Sequence, residues 1–223
     1  MPARTWSAVA LAMLAGACPA WSGTVRGTLR LPPVENRDLA ALDAYPGQAN
    51  SLVGAHPAVR GTVTDAVVSF ETFPAGAESL VARSAVPPQL AQKDQAFAPR
   101  VLAVAVGTTV DFPNLDPIYH NVFSVSPVKR FDLGKYPRGH SRRVTFGKPG
   151  LVQVYCDIHS QMAAFVLVLP HHGFTQPDAA GHFTLPDVPA GRYLLRVWHP
   201  DLHELHRSVE VPADGVVSVE LQY

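Results

Sequence analysis

The chain has 223 residues with 18 Lys+Arg and 18 Asp+Glu, so no global charge points to a nucleic-acid partner. Proline is abundant at 21, and beyond the N-terminus no apolar segment approaches the length that spans a bilayer. Together these exclude a membrane-spanning bundle and favour short strands and turns, in one large or two small domains.

Taken in chain order, the first element is not structural. Met1 to Arg4 carry a single positive charge, an apolar run follows from Ala8 to Ala17, and "ACPAWSG" supplies small residues at its exit. This is the pattern of a secretory signal over residues 1–22, cleaved after Ala20 or Ser22, and it places the mature protein in the periplasm. An alternative reading takes "LAGAC" as a lipobox that keeps Cys18 as an acylated anchor, although Ala15 stands where a larger aliphatic residue is usual. Cleavage would leave Cys156 as the sole thiol, so no disulfide is expected within the mature chain. An unpaired thiol outside the cytoplasm invites oxidation, and metal ligation is a reason to retain one.

Period-two alternation, rich in valine and aromatics, predicts strands at Thr24–Leu31, Thr62–Phe73, Val101–Val106, Thr109–Pro113, Asn121–Val125 and Arg142–Phe146. Further strands are expected at Val152–Cys156, Ala164–Leu169, His182–Leu185, Tyr193–His199, His206–Val211 and Val216–Leu221. Gly107, Gly150, Gly181, Gly191 and Gly215 sit in the intervening turns, where positive φ is commonly needed. Residues 32–57 and 74–92 show no clean period, and only "RDLAALDAY" within the first suggests a short helix. The fold class expected is all-β.

One stretch concentrates the chemistry. "YCDIHSQMAAFV" holds Cys156, His159 and Met162 at three-residue steps, just after an alternating strand, and no other Cys or Met follows the N-terminal segment. On a tight turn such steps bring side chains to one side. "LDPIYHNVFSV" offers His120 as a fourth donor. One thiolate, two imidazoles and a thioether suit a mononuclear copper centre, whereas zinc more often takes a second thiolate or a carboxylate. A dinuclear copper site would need two bridging cysteines. The competing reading, a buried Cys and Met as ordinary core residues, explains any one of these positions but not all four together.

Residues 97–169 resemble a cupredoxin, the blue-copper family of plastocyanin, pseudoazurin and amicyanin. The resemblance rests on "FAP" at Phe97, "VAVGTTVDFPN" at Val104, "HNV" at His120 and "FGKPGLVQVYCDIHSQM" at Phe146, with a ligand loop most similar to amicyanin's. It implies a Greek-key sandwich over residues 90–170, one copper ion on His120, Cys156, His159 and Met162, and a loop-closing hydrogen bond from Asn121. It further implies one-electron transfer through His159, past an apolar rim of Pro117, Ile118 and Ala163, to a redox protein such as a periplasmic dehydrogenase or oxidase. Phe112 stands where the family usually has Trp, and Val152 where it commonly has an aromatic.

The tail "DAAGHFTLPDVPAGRYLLRVWHPDLHELHRSVEV" resembles half of the transthyretin-like accessory domain of carboxypeptidases, on Gly181, Phe183, Val188 to Gly191 and Tyr193. "TVRGTLRL" and "VTDAVVSFE" fit the other half. The expectation is a small β-sandwich split between residues 24–85 and 171–223, with the copper domain inserted. The alternative makes Thr62–Phe73 the first strand of the copper domain. No catalytic motif is present, so an enzyme is not expected. His171, His172, His199, His203 and His206 read as surface residues rather than a second metal site. The run from Lys129 to Arg143 carries six cations against Asp132 and reads equally as a solvated loop or as a docking face for an acidic redox partner. Copper carriage or storage without redox exchange and a β-sandwich scaffold are the alternatives to electron transfer.

Overall fold

The computed structural model describes residues 22–32, 61–74 and 86–223. The expected leader at 1–22 lies outside them except for Ser22, which opens the first strand, and so does the expected helix at Arg37 to Tyr45. Two strands come from the N-terminal part, β1 (Ser22–Arg30) and β2 (Val67–Phe70). The middle of the chain supplies β3 (Ala91–Lys93), β4 (Ala96–Ala98), β5 (Val101–Ala105), β6 (Thr108–Pro113), β7 (His120–Ser124) and β8 (Phe131–Tyr136). It continues with β9 (Ser141–Phe146), β10 (Gly150–Tyr155) and β11 (Ala163–Leu169). The tail supplies β12 (Phe174–Thr175), β13 (His182–Pro189), β14 (Gly191–His199), β15 (Leu202–Val211) and β16 (Val216–Gln222). Among the described residues no helix is long and apolar enough to cross a membrane.

Two cores organise these strands. In the larger, a sheet in the order β5-β11-β10-β7-β8 faces the β6–β9 pair, with β3 and β4 alongside. Val110, Phe112, Val122, Phe146, Val152, Val154 and Val166 fill it, all at most 1% exposed. Each such side chain contributes about 1.5–3 kcal/mol of burial free energy. In the smaller, the sheet β13-β1-β16 lies over the sheet β12-β2-β14-β15, around Val25, Leu29, Val68, Phe70, Leu195, Val197 and Leu221.

The pairing of the N-terminal strands follows from their alternation. β1 lies between two tail strands, with Val25 opposite Leu185 and Val217 and Leu29 opposite Leu221. β2 is shorter than the expected Thr62–Phe73 because residues Val63–Asp65 form a 3₁₀ turn, and it pairs with β12 and β14 rather than with the larger core's sheets. Gly181 closes the turn into β13 at φ +86°, where a Cβ would lie 2.3 Å from the Leu29 carbonyl oxygen, so only glycine fits.

The two cores share a third apolar cluster. Val67 of β2, with Trp198 and Phe174 beside it, packs against Val101, Leu167 and Leu169 of β5 and β11. The Phe165 ring meets Trp198 edge-on at 6.0 Å, and the Arg100 guanidinium lies over its face. Polar clasps flank the cluster. Gln176 donates to the Thr64 and Val101 carbonyls and accepts from the Ala103 N–H. Arg100 donates to both oxygens of Asp201 at 2.9 and 3.1 Å and to Asp65 at 3.4 Å.

The histidine expectation is corrected at two positions. His171 and His199 are 6% and 3% exposed, and both ring nitrogens of each meet backbone groups. His171 reaches the Phe70 carbonyl and the Gly173 N–H, and His199 the Thr62 carbonyl and the Asp201 N–H. They are buried connectors, which the polarity of "PHHG" and "HPDLHELH" concealed.

The Arg100–Asp201 pair carries a testable pH dependence. Burial alone would raise the Asp201 pKa, but the Arg100 hydrogen bonds and charge outweigh it and hold the carboxyl below its ordinary value. A depressed carboxyl contributes stability above its unfolded pKa of about 3.9 and loses it as pH falls through the folded value. Asp201→Asn should therefore lower stability by about 1–3 kcal/mol at pH 7. Urea unfolding midpoints of variant and parent should converge as the pH drops below about 4; a gap that persists there would contradict the assignment.

Candidate metal centre

Strand alternation delivers two donors to one end of the larger core. On β10, Val152 and Val154 face inward, and continuing that period past the strand end turns Cys156 inward as well, at 0% exposure. On β7 the same period buries His120, Val122 and Ser124. β7 and β10 are antiparallel, paired at Phe123 and Tyr155, so the start of one meets the end of the other. His120 and Cys156 thus arrive from separate places at a common point.

The third donor rides on the loop between β10 and β11. The Tyr155–Ala163 pair closes its base. Cys156 N–H donates to the Met162 carbonyl at 3.3 Å and Met162 N–H to the His159 carbonyl at 3.0 Å, which winds the loop tightly. His159 is held half-buried above Cys156, and Met162 enters the core at 1% exposure.

The donor atoms converge. His120 Nδ1 lies 3.9 Å and His159 Nδ1 4.0 Å from Cys156 Sγ, and the two Nδ1 atoms are 3.1 Å apart. A point equidistant from all three lies about 2.1 Å from each, within the reach of metal–nitrogen and metal–sulfur bonds. These three residues are the only group of at least three His, Cys, Asp or Glu donors of this kind among the described residues. The set fits a soft, borderline cation: one sulfur, two imidazole nitrogens and a buried thioether on the same loop.

Two hydrogen-bonded supports aim the donors. His120 Nε2 lies 2.8 Å from Asp116 Oδ2, which directs Nδ1 at the thiol. Asp116 is itself fixed by the N–H groups of Asp94 and Gln95 at 2.7 and 2.9 Å, and its own N–H donates to Asn114 Oδ1. Burial alone would raise the Asp116 pKa, but these N–H groups and His120 outweigh it and keep the carboxyl below its ordinary range. Asn121 Oδ1 accepts the Asp157 N–H at 3.2 Å, tying β7 to the ligand loop. Its amide nitrogen donates to Asp132 on β8 at 2.8 Å. Burial, and then the adjacent His120 ring, lower the His159 pKa, which favours the neutral imidazole, the form able to ligate a metal.

The sequence singled out His120, Cys156, His159 and Met162, and the structure brings the first three donor atoms together and buries Met162 beside them. Asp116 was not singled out from the sequence, although its spacing of four residues before His120 was the available signal. Asp132 gave no local signal, because its link to Asn121 depends on strand pairing.

Comparison with known proteins gives partial matches. Over 40% of its length the chain is similar to a Cu-containing nitrite reductase (NirK) from Thermus scotoductus SA-01, at 30% identity and a TM-score of 0.37. It spans only 23% of that chain. It is similar to a purple cupredoxin from Nitrosopumilus maritimus at 23% identity and a TM-score of 0.34, covering 37% of this chain and 99% of that one. An amicyanin variant in its Cu(I) form matches at 21% identity and a TM-score of 0.36, covering 46% and 98% of the two chains. No protein-family model matches the chain, and no curated protein matches it.

The support from Asp116 is open to test. Asp116→Ala removes the acceptor that orients His120, and affinity for added copper should fall about 10–100-fold in competition with a chelator. Unchanged affinity would mean that packing alone aims the ring.

Proposed function

We propose that the protein is an exported one-electron carrier built around a single copper ion held by His120, Cys156, His159 and Met162. The observation that carries this reading is the convergence of His120 Nδ1, Cys156 Sγ and His159 Nδ1 at one buried point before any ion is considered. Copper would supply a one-electron couple there.

The chain's own residues set the terms of that couple. Cys156, His120 and His159 would hold the ion through one sulfur and two imidazole nitrogens, and Met162 would add a soft thioether that tunes its potential. Three of these sit in or against a core whose strands do not rearrange easily, and the supports at Asp116 and Asn121 fix the imidazole and the loop. A donor set held in place tolerates both oxidation states with little movement, which speeds electron exchange and suits a carrier rather than a catalyst.

The exit is at His159, half-buried between loops that expose Leu115, Ile118, Tyr119 and Ile158 at 38–58%. Four large apolar side chains at one end of the molecule, all within six residues of a proposed ligand, form a dry contact surface for a redox partner. Among the described residues, the smaller sandwich, read as transthyretin-like from its sequence, supplies no donor to the site. In this reading residues 90–170 form the copper domain, and the sandwich from 24–85 and 171–223 is its mount, set in the periplasm after removal of the leader.

Copper(II) added to the metal-free protein should give one equivalent bound and an intense band towards the red end of the visible, bleached by ascorbate and restored on reoxidation. Cys156→Ser should abolish the band, and Met162→Leu should keep it at a shifted potential. Copper bound without a cyclable band would favour carriage or storage, and no binding would favour a scaffold.

A further inference from the structure

His199 closes β14 beside the apolar cluster that the two cores share, and it is 3% exposed. Both of its ring nitrogens are taken by backbone groups. Nε2 lies 3.2 Å from the Thr62 carbonyl oxygen, and the Asp201 N–H donates to Nδ1 at 3.2 Å. A carbonyl oxygen only accepts and an N–H only donates, so these partners specify one form of the ring, neutral with its proton on Nε2. A second proton has only Nδ1 to enter, where it would face the Asp201 N–H donor to donor.

Asp201 transmits that conflict. Its N–H serves His199 while its carboxylate takes two bonds from Arg100, at 2.9 and 3.1 Å. Arg100 in turn reaches Asp65 at 3.4 Å, lies over the Phe165 ring, and accepts the Phe165 N–H on its carbonyl at 2.9 Å. The turn between β14 and β15, the 3₁₀ turn at Val63–Asp65 and strand β11 therefore meet at one group of side chains. There is no slack in it: a Cβ on Gly61 would overlap Asp201 Oδ2, His199 Cε1 and Arg100 Nη1. Such a packed group changes by switching arrangement rather than by yielding gradually.

Burial is the largest influence on the ring and lowers its pKa. Of the charged groups that face it, Asp201 and Asp65 act to raise the value and Arg100 to lower it, and the net shift is downward. A histidine depressed in this way takes up a proton on opening. The closed arrangement is therefore favoured above the open-state pKa of about 6.5 and loses that advantage as pH falls towards the closed-state value. Asp201, whose pKa is itself lowered by Arg100 against the cost of burial, keeps its charge through that window.

We propose that His199 is an acid-sensitive latch between the two cores. Uptake of one solvent proton at Nδ1 expels the Asp201 N–H, draws the Asp201 carboxylate off Arg100 and frees residues 200–201 from the start of β5; only hydrogen bonds and an ion pair are broken. Arg100 then loses one of the contacts that hold it over Phe165, on the strand that follows Met162. The latch needs no metal, so it stands or falls apart from the carrier reading.

Amide hydrogen exchange on the full metal-free chain, resolved by NMR and corrected for intrinsic rates, tests it between about pH 7 and about pH 5. Protection of the Asp201 N–H should fall about tenfold for each pH unit below about 6.5, the dependence of an opening that takes up one proton. The Leu29 and Leu90 N–H groups, bonded within the two cores to the Gly181 and Asp111 carbonyls at 2.8 and 2.9 Å, should keep their protection. His199→Gln, which offers a donor and an acceptor but does not titrate, should lack the slope at Asp201. The ring nitrogen shifts of the wild type need no variant: they should show a bare Nδ1 at neutral pH and proton uptake there in step with exchange at Asp201. Protection of Asp201 that ignores pH, a ring already protonated on Nδ1 at neutral pH, or a slope that persists in His199→Gln would overturn the latch. An equal slope at Leu29 and Leu90 would mean global unfolding and overturn it as well.

Discussion

A neutral imidazole ring can turn about its bond to Cβ, and a metal site that depends on one nitrogen must stop it turning. Here the stop is the contact between His120 Nε2 and Asp116, made at 2.8 Å with the ring fully buried. Because Asp116 is held in turn by the Asp94 and Gln95 N–H groups, the orientation of one proposed ligand is referred back to the turn between β3 and β4. The carboxylate's burial cost is met by three donors, the condition under which a buried charge is tolerated. Without this arrangement His120 Nδ1 has no reason to face Cys156, and the convergence with His159 is lost.

The rest of the larger core extends that constraint. β7 brings His120 in from one side, and the β10–β11 hairpin brings Cys156, His159 and Met162 in on a single loop. Asn121 links the two, and Asp132 links Asn121 to the edge strand β8. β11, which leaves the site directly after Met162, continues to the shared cluster where Phe165, Leu167 and Leu169 meet the smaller sandwich. The smaller sandwich therefore packs on the strand that follows Met162, while the Arg100 and Gln176 clasps hold the start of the neighbouring β5. A gap in this packing would be felt along the strand, since packed interiors transmit strain.

Much of this was legible in the residues. Alternation marked β1, β6, β10, β14 and β16 because each buries one face, and that period survives in any context. β8 was missed, since Phe131 to Tyr136 mixes Asp132, Gly134 and Lys135 into an edge strand that buries only Tyr136 well. β3, β4 and β12 have two or three residues each, too few for a period to register. The donor set was visible because sulfur is rare in the chain, so its placement stood out against the background. Asp116 and Asp132 were not, since a carboxylate's task is decided by what the fold sets opposite it. The burial of His171 and His199 was hidden for the same reason: each ring meets one backbone carbonyl far away in sequence, of Phe70 and Thr62.

The account depends on three donors, one from a strand and two from the β10–β11 loop, binding one ion together, and X-ray absorption at the copper edge of the loaded protein tests this most directly. It should find one short copper–sulfur and two copper–nitrogen contributions, nearly unchanged between the oxidised and reduced forms. A first shell of oxygen and nitrogen alone, or one that is rebuilt on reduction, would contradict it.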